Sequence, residues 1–177
     1  LEITSLDTEG IDFEVAETGS TFEENAVQKA LAYARASGLW TWADDSGLEV
    51  DALGGAPGIH SSRYAGPGAG DEDRYRKLLQ ALDGVPPDRR TARFRCVVAI
   101  ATPEGEVYTT YGSCEGVIAD SPRGQHGFGY DPVFFLPDMG KTMAELSPEK
   151  KNEISHRGRA ARAAKVVLQN LMRKTEA

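Results

Sequence analysis

The sequence intermingles strand and helix patterns, which predicts an α/β or α+β fold, and we take the α/β class. Three observations support it: an amphipathic helical pattern near the start, another at the end, and a long β-hairpin pattern between them. With 177 residues, 40% of them hydrophobic, the chain can bury a core. We therefore predict one domain over residues 1–177, undivided or in two lobes.

The first helix is predicted from Thr21 to Ser37. Thr21 suits the N-cap, and Glu24 three positions later would complete a capping box. Gly38 is a natural stop. Its apolar face consists of residues at helical spacing: Ala26, Ala30, Tyr33 and Ala34.

Two further helices are predicted, over residues 71–82 and 156–174. Each has an apolar face with helical periodicity. In the first helix the face consists of Tyr75, Leu78, Leu79 and Leu82. In the second it consists of Ala160, Ala164, Val167, Leu168, Leu171 and Met172.

The strands are predicted from β-branched and aromatic runs. Residues 39–43 and 48–50 are interpreted as two short strands on either side of Asp44–Gly47. Residues 92–101 and 106–118 flank a Thr-Pro-Glu-Gly turn and predict the long hairpin. Residues 133–135 are expected to form a short strand, and residues 142–146 a brief helical turn.

The net charge of −7 argues against a nucleic-acid polymer as partner, because such binders usually need a positive face. From Lys141 onward nine Lys/Arg and four Glu give +5, so the rest carries −12. An acidic body with a basic end suits a site for a cation and a polyanion, although a solvated basic helix explains the same charges.

Membrane and export signals are not visible in the sequence. No apolar run approaches the roughly 20 residues that span a bilayer, and no signal peptide is recognisable. Cys96 and Cys114 lie in strand-like apolar runs and lack the spacing of a metal site. We expect buried thiols in a cytoplasmic protein.

The first candidate for chemistry is Asp44-Asp45-Ser46-Gly47, which follows an apolar strand. Carboxylates at a strand end can bind Mg²⁺ together with water and phosphate oxygens. Adjacent residues of an extended chain point to opposite sides, so Asp44 and Asp45 would do different jobs unless a turn intervenes. An Asp-rich turn leading into a hairpin is the alternative.

The second candidate is the loop from Gly124 to Pro132. Its glycines allow close approach of the backbone, and Phe128 and Tyr130 could stack on a flat ring. Asp131 could accept hydrogen bonds from ring N–H groups. Alternatively, the aromatic side chains fill the core.

The third candidate is Ser155-His156-Arg157 with Lys151 before it. The start of a helix favours anions, and these side chains could hold phosphate or read hydrogen-bond acceptors. An ordinary serine N-cap followed by solvated charges is the alternative. Glu17 and Lys29 are weaker candidates for a metal carboxylate and a phosphate ligand.

Together these segments resemble the inosine/xanthosine triphosphate pyrophosphatases of the RdgB/Ham type over essentially the whole chain. Each motif is weak alone, but their order and spacing are specific. The motifs are Thr21–Ala26, Ala43–Leu48, Gly54–Gly58, Ser62–Tyr64, Ala92–Phe94, Gly127–Pro132 and Ser155–Arg157.

The resemblance implies Mg²⁺-dependent hydrolysis of inosine, deoxyinosine and xanthosine triphosphates to monophosphate and pyrophosphate. It also implies a homodimer whose subunit is elongated, with a central mixed sheet and two lobes flanking a cleft. Asp45 would be the general base and a metal carboxylate, Glu17 the other metal residue, and Asp44 their support. The substrate-binding residues implied are Lys29, Ser46, Phe128, Gly129, Tyr130, Asp131, Lys151, His156 and Arg157.

One feature departs from the family pattern. Family members start with a strand and a Thr/Ser-x-Asn-x-x-Lys turn that holds the triphosphate, and no such segment precedes Leu1. We expect that the N-terminal strand and turn are missing from this sequence, which would weaken activity. A catalytically impaired nucleotide-binding module and a related Maf-like nucleotide pyrophosphatase are the alternatives.

Overall fold

A computed structural model describes residues 2–175. The helices are α1 (Phe22–Ser37), α2 (Asp71–Ala81), α3 (Pro148–Ile154) and α4 (His156–Thr175). The strands are β1 (Thr41–Val50), β2 (Thr91–Ala101), β3 (Val107–Ile118), β4 (Phe134–Leu136) and β5 (Lys141–Thr142). Short 3₁₀ turns lie at Asp51–Leu53, Gly58–Arg63, Pro87–Arg89, Pro137–Met139 and Met143–Glu145.

Within residues 2–175 the strands form one five-stranded sheet in the order β1-β2-β3-β4-β5. Strands β3 and β4 pair antiparallel, with Val117 opposite Phe135, and β4 pairs antiparallel with β5. The Thr102 N–H donates to Glu106 O over 2.9 Å at the tip of the β2–β3 hairpin. The α/β class and the long hairpin are thus confirmed.

The described residues separate into two compact units. The first contains the chain up to Asp45, Cys96–Tyr111 and the chain from Ala160. The second contains Ser46–Arg95 and Gly112–Arg159. The boundaries fall inside β1, β2, β3 and α4, and the single-domain assignment remains a prediction.

Each unit has its own core. In the first unit, β2 side chains pack against the alanine face of α4; the buried residues are Cys96, Val98, Ile100, Ala160 and Ala164. In the second unit, the predicted face of α2 is buried through Leu78 and Leu82, beside Phe134 and Met143. Both cysteine thiols are buried, as predicted. Among the described helices, none is long and apolar enough to cross a membrane.

Helix α1 starts and stops where predicted, with the Thr21 contact of the capping box in place and with the Glu24 carboxylate bonded chiefly to Ser20. Thr21 Oγ1 accepts from the Glu24 N–H over 3.1 Å. The Glu24 carboxylate accepts from the Ser20 N–H over 2.6 Å and from the Ser20 hydroxyl over 2.8 Å. The backbone hydrogen bond from Ser20 lowers the Glu24 pKa, because it stabilises the carboxylate form.

Two local features were predicted wrongly or missed, and a third was confirmed. Residues 39–43 and 48–50 do not form separate strands, because β1 runs unbroken through Asp44–Gly47. Helix α3 and strand β5 were not predicted. The helical turn expected within residues 142–146 is present as the 3₁₀ turn Met143–Glu145.

Candidate active site

Two carboxylates of the first unit lie against one lysine ammonium group. Lys29, on α1, donates to Glu17 Oε1 over 2.7 Å, and its Nζ lies 3.9 Å from Asp45 Oδ1. Asp45 is on β1 and only 9% exposed. The fold therefore brings together three predicted site residues that are far apart in the sequence.

Asn25 is a further member of this cluster that sequence analysis missed. Its side chain is completely buried, and its Nδ2 donates to Asp45 Oδ2 over 3.0 Å. Its Oδ1 accepts from the Gly19 N–H over 2.8 Å. Asn25 thus connects the Glu17–Gly19 segment to β1. A signal was present, because Asn25 and Lys29 are polar residues among the alanines of the α1 face.

Asp44 and Asp45 contact different partners, as expected for neighbours in an extended strand. Asp44 Oδ2 accepts from Cys96 Sγ on β2 over 3.9 Å, whereas Asp45 contacts α1. Ser46, the next residue of β1, is half-buried and belongs to the second unit. A turn at Asp44–Gly47 is excluded by the continuous strand.

The donor set of Glu17 and Asp45 fits a hard divalent cation. Both side chains supply carboxylate oxygens, and both already face the same positive charge on Lys29. Within the described residues, no cluster of three or more His, Cys, Asp or Glu side chains could hold a metal ion. Two carboxylates, with water and phosphate completing the shell, are a common arrangement for Mg²⁺.

In the second unit, Asp131 organises the glycine-rich loop. Its side chain is buried, and its Oδ2 accepts from the Phe128 N–H over 2.9 Å and from the Lys151 ammonium group. Burial raises the pKa of Asp131, although the hydrogen bond from Lys151 opposes the shift. The Lys151 contact places a positive charge directly against this carboxylate.

Phe128 presents an aromatic ring at the surface of this loop. The side chain is 58% exposed, which is unusual for phenylalanine. Lys151 Nζ lies 4.4 Å from the ring centroid, and Arg157 Cζ lies 5.5 Å from it. Tyr130 differs: its ring is buried in the core and its hydroxyl donates to Ser61 O over 2.8 Å. The idea that the Tyr130 ring stacks on a ligand is therefore corrected.

His156 lies at the start of α4, next to the Ser155 N-cap. The Ser155 hydroxyl oxygen accepts from the Gly158 N–H over 3.1 Å, which gives the predicted cap. The imidazole stacks on Phe94 with centroids 4.7 Å apart. Burial, together with the charges of Arg157 and Lys151, lowers the pKa of His156 to about 3. The ring is therefore neutral near pH 7.

The Nδ1 atom of His156 is buried and finds no hydrogen-bond partner among residues 2–175. Such orphaned polar atoms are rare in folded proteins and suggest a missing partner. The second unit thus brings together Phe128, Asp131, Lys151, His156 and Arg157.

Comparison with known proteins identifies the family. The Ham1 family model matches residues 1–167. The chain belongs to the Ham1 family. Among curated relatives, the dITP/XTP pyrophosphatase of Geobacillus kaustophilus is 59% identical over 164 residues, which cover 90% of this chain and 78% of the relative. That of Desulforamulus reducens is 56% identical over 158 residues, covering 89% and 79%.

Solved Ham1 structures share the fold. A HAM1 protein from Coxiella burnetii superimposes with a TM-score of 0.88 at 45% identity, covering 93% of this chain and 84% of that one. The Ham1 protein of Staphylococcus aureus has a TM-score of 0.85 at 48% identity, covering 90% and 82%. The resemblance inferred from the sequence motifs is confirmed at the level of family and fold.

Proposed function

We propose that this Ham1 family member hydrolyses inosine, deoxyinosine and xanthosine triphosphates to the monophosphate and pyrophosphate. Such a reaction removes non-standard purines from the nucleotide pool. The observation that carries the proposal is the cluster of Glu17, Lys29 and Asp45, in a chain similar over most of its length to dITP/XTP pyrophosphatases.

The triphosphate part of the substrate matches the chemistry of Glu17, Lys29 and Asp45. Lys29 can hold a phosphate oxygen as a point charge. Asp45 acts as the general base and takes the proton of the attacking water on Oδ1, since Oδ2 accepts from Asn25. Asn25 fixes the plane of that carboxylate, so that the water meets an oriented acceptor.

Mg²⁺, held by Glu17 and Asp45 with water and phosphate oxygens, would neutralise the charge of the triphosphate. Asp44, whose carboxylate accepts from Cys96 Sγ, would support Glu17 and Asp45 in holding the metal. The requirement for Mg²⁺ is part of the proposal. Its test is loss of turnover on chelation and recovery on adding back magnesium.

The purine base matches the side chains of the glycine-rich loop and of the start of α4. Phe128 offers an exposed ring for stacking, and Asp131 an acceptor for ring N–H groups. Hypoxanthine and xanthine carry a 6-oxygen acceptor where adenine carries an amine. Donors from His156 or Arg157 would satisfy that oxygen and would be left unpaired by adenine, at a cost of about 1–3 kcal/mol each.

We further propose a homodimer, which the family resemblance implies, and a cytoplasmic location, which the two buried thiols favour. Sedimentation equilibrium of the purified chain distinguishes a dimer from a monomer. A monomeric species at all concentrations would contradict the dimer without affecting the proposed reaction.

The test of function compares inosine, deoxyinosine, xanthosine, adenosine and guanosine triphosphates, with pyrophosphate and orthophosphate measured separately. Pyrophosphate release from the first three, lost in Asp45→Asn, is the expected result. Orthophosphate as the first product contradicts the reaction. A preference for modified pyrimidine nucleotides would favour the Maf-like alternative, and binding without turnover would favour the binding module.

A further inference from the structure

Asp71, the first residue of α2, reaches the loop that carries Phe128. Its Oδ2 accepts from the Gly129 N–H over 2.7 Å, across 58 positions of sequence. Its Oδ1 accepts from Arg74 Nη1 over 2.6 Å. One carboxylate thus joins the second helix to the middle of the glycine-rich loop.

The backbone of that loop is held by two carboxylates at consecutive N–H groups. Asp131 accepts from the Phe128 N–H over 2.9 Å, and Asp71 accepts from the next N–H, that of Gly129. These two peptide groups flank the Cα of Phe128, so they set the direction in which its ring leaves the backbone. An exposed ring on a glycine-rich segment needs such restraint to have one direction.

The contact is not an ordinary helix cap. Gly70 is the N-cap of α2, and its N–H donates to Asp73 over 2.9 Å. Capping is therefore served by Asp73, three positions beyond the cap. The Asp71 carboxylate is instead held by Arg74, whose Nη2 also donates to Ala69 O over 2.8 Å.

We propose that Asp71 is a positioning residue that sets the orientation of Phe128 for stacking on the purine. The inference rests on the proposed function, since it needs the purine to bind at Phe128. Asp71 then affects the affinity for the base and does not affect the affinity for the phosphates.

The test measures binding of inosine monophosphate and of pyrophosphate by calorimetry. In Asp71→Ala the dissociation constant of inosine monophosphate should rise about tenfold, whereas that of pyrophosphate should stay within about twofold. Asp71→Asn keeps an acceptor for the Gly129 N–H and should recover most of the affinity. Arg74→Met, which frees Asp71 to move, should weaken the binding of inosine monophosphate by about threefold. This variant replaces Asp71→Ala in the test if Asp71→Ala does not fold.

Asp73→Ala is the matched control, because it removes a carboxylate from the same helical turn without touching the loop. It should lower the melting temperature and leave both dissociation constants unchanged. The inference is overturned if Asp71→Ala weakens the binding of both ligands equally, or if its affinity for inosine monophosphate is unchanged. The proposed function still stands in either case if the wild type releases pyrophosphate. A wild type that binds no inosine monophosphate overturns the inference, and a wild type that releases no pyrophosphate from inosine triphosphate overturns the proposed function as well.

Discussion

The side-chain amide of Asn25 donates a 3.0 Å hydrogen bond to Asp45 Oδ2. Asn25 is fully buried and accepts from the Gly19 N–H with its other end, so its orientation is fixed. A buried amide with both ends engaged holds a carboxylate more rigidly than water can. The proposed general base, Asp45, is thus oriented by a buried side chain of α1.

Asn25→Ala should lower kcat about 10- to 100-fold, because Asp45 loses its orienting partner. The unfolding free energy should fall by roughly 1–3 kcal/mol, since the Gly19 N–H loses its acceptor. Steady-state kinetics and urea unfolding measure the two effects. Ala30→Gly, which costs about 1 kcal/mol in the same helix, is the control for stability alone. Equal kcat losses in both variants would refute the orienting role.

Lys29→Met should strengthen binding of a divalent cation in the absence of nucleotide, by about three- to tenfold. The ammonium group now lies against Glu17 and Asp45, so it competes with any other cation for these oxygens. Turnover should nevertheless fall, because the phosphate loses a positive partner. Calorimetry with Mn²⁺ measures the affinity, and Lys29→Arg keeps the charge as control. Unchanged Mn²⁺ affinity would rule out the competition.

The stability of the fold should decrease as pH falls from 6.5 toward 3. His156 has its pKa lowered from 6.5 to about 3, so between these values the unfolded state binds a proton that the folded state does not. The loss should amount to roughly a few kcal/mol at the acid end. His156→Phe removes the proton and keeps a ring against Phe94. The free energy of unfolding should differ less between pH 7.5 and pH 4 for the variant than for the wild type. An equal difference in both proteins would disprove the assignment to His156.

Gly127→Ala should disturb the Asp131–Lys151 contact. Gly127 has φ of 81°, and an added Cβ would fall on Asp131 Oδ2 and lie 2.9 Å from Lys151 Nζ. We expect kcat/KM to drop about 10- to 100-fold. Gly140→Ala is the control, because its φ is 63° and nothing lies within 4 Å of the added Cβ. Both variants should lose about 1–2 kcal/mol of stability to backbone strain, so activity lost to the same extent in both would contradict the prediction.

The sequence was informative wherever one segment determines its own structure. The alanine face of α1, the leucine face of α2 and the β2–β3 hairpin were predicted because periodicity and turn residues are local signals. Sequence analysis failed at Asp44–Gly47, whose residues favour turns when isolated. There, pairing within the sheet overrides local preference and keeps β1 extended.

Other features could not be predicted because no local sequence pattern marks them. Helix α3 has only seven residues and no apolar periodicity, although Ser147 caps it by accepting from the Lys150 N–H over 3.3 Å. The approach of Glu17 and Asp45 to Lys29 has no local signature, and only the family resemblance paired the two carboxylates. The Asp71–Gly129 contact had no signal in the sequence, because an acidic first helical turn is common on its own.

The unbroken course of β1 makes the two aspartates intolerant of insertions and deletions. One extra residue between Thr41 and Asp44 would turn each following side chain to the other side of the strand. Asp44 would then face Asn25, and Leu48 and Val50 would both turn away from the core. An insertion that misplaced the two aspartates would therefore also disrupt packing. Folding as well as chemistry thus constrains the spacing of residues in this segment.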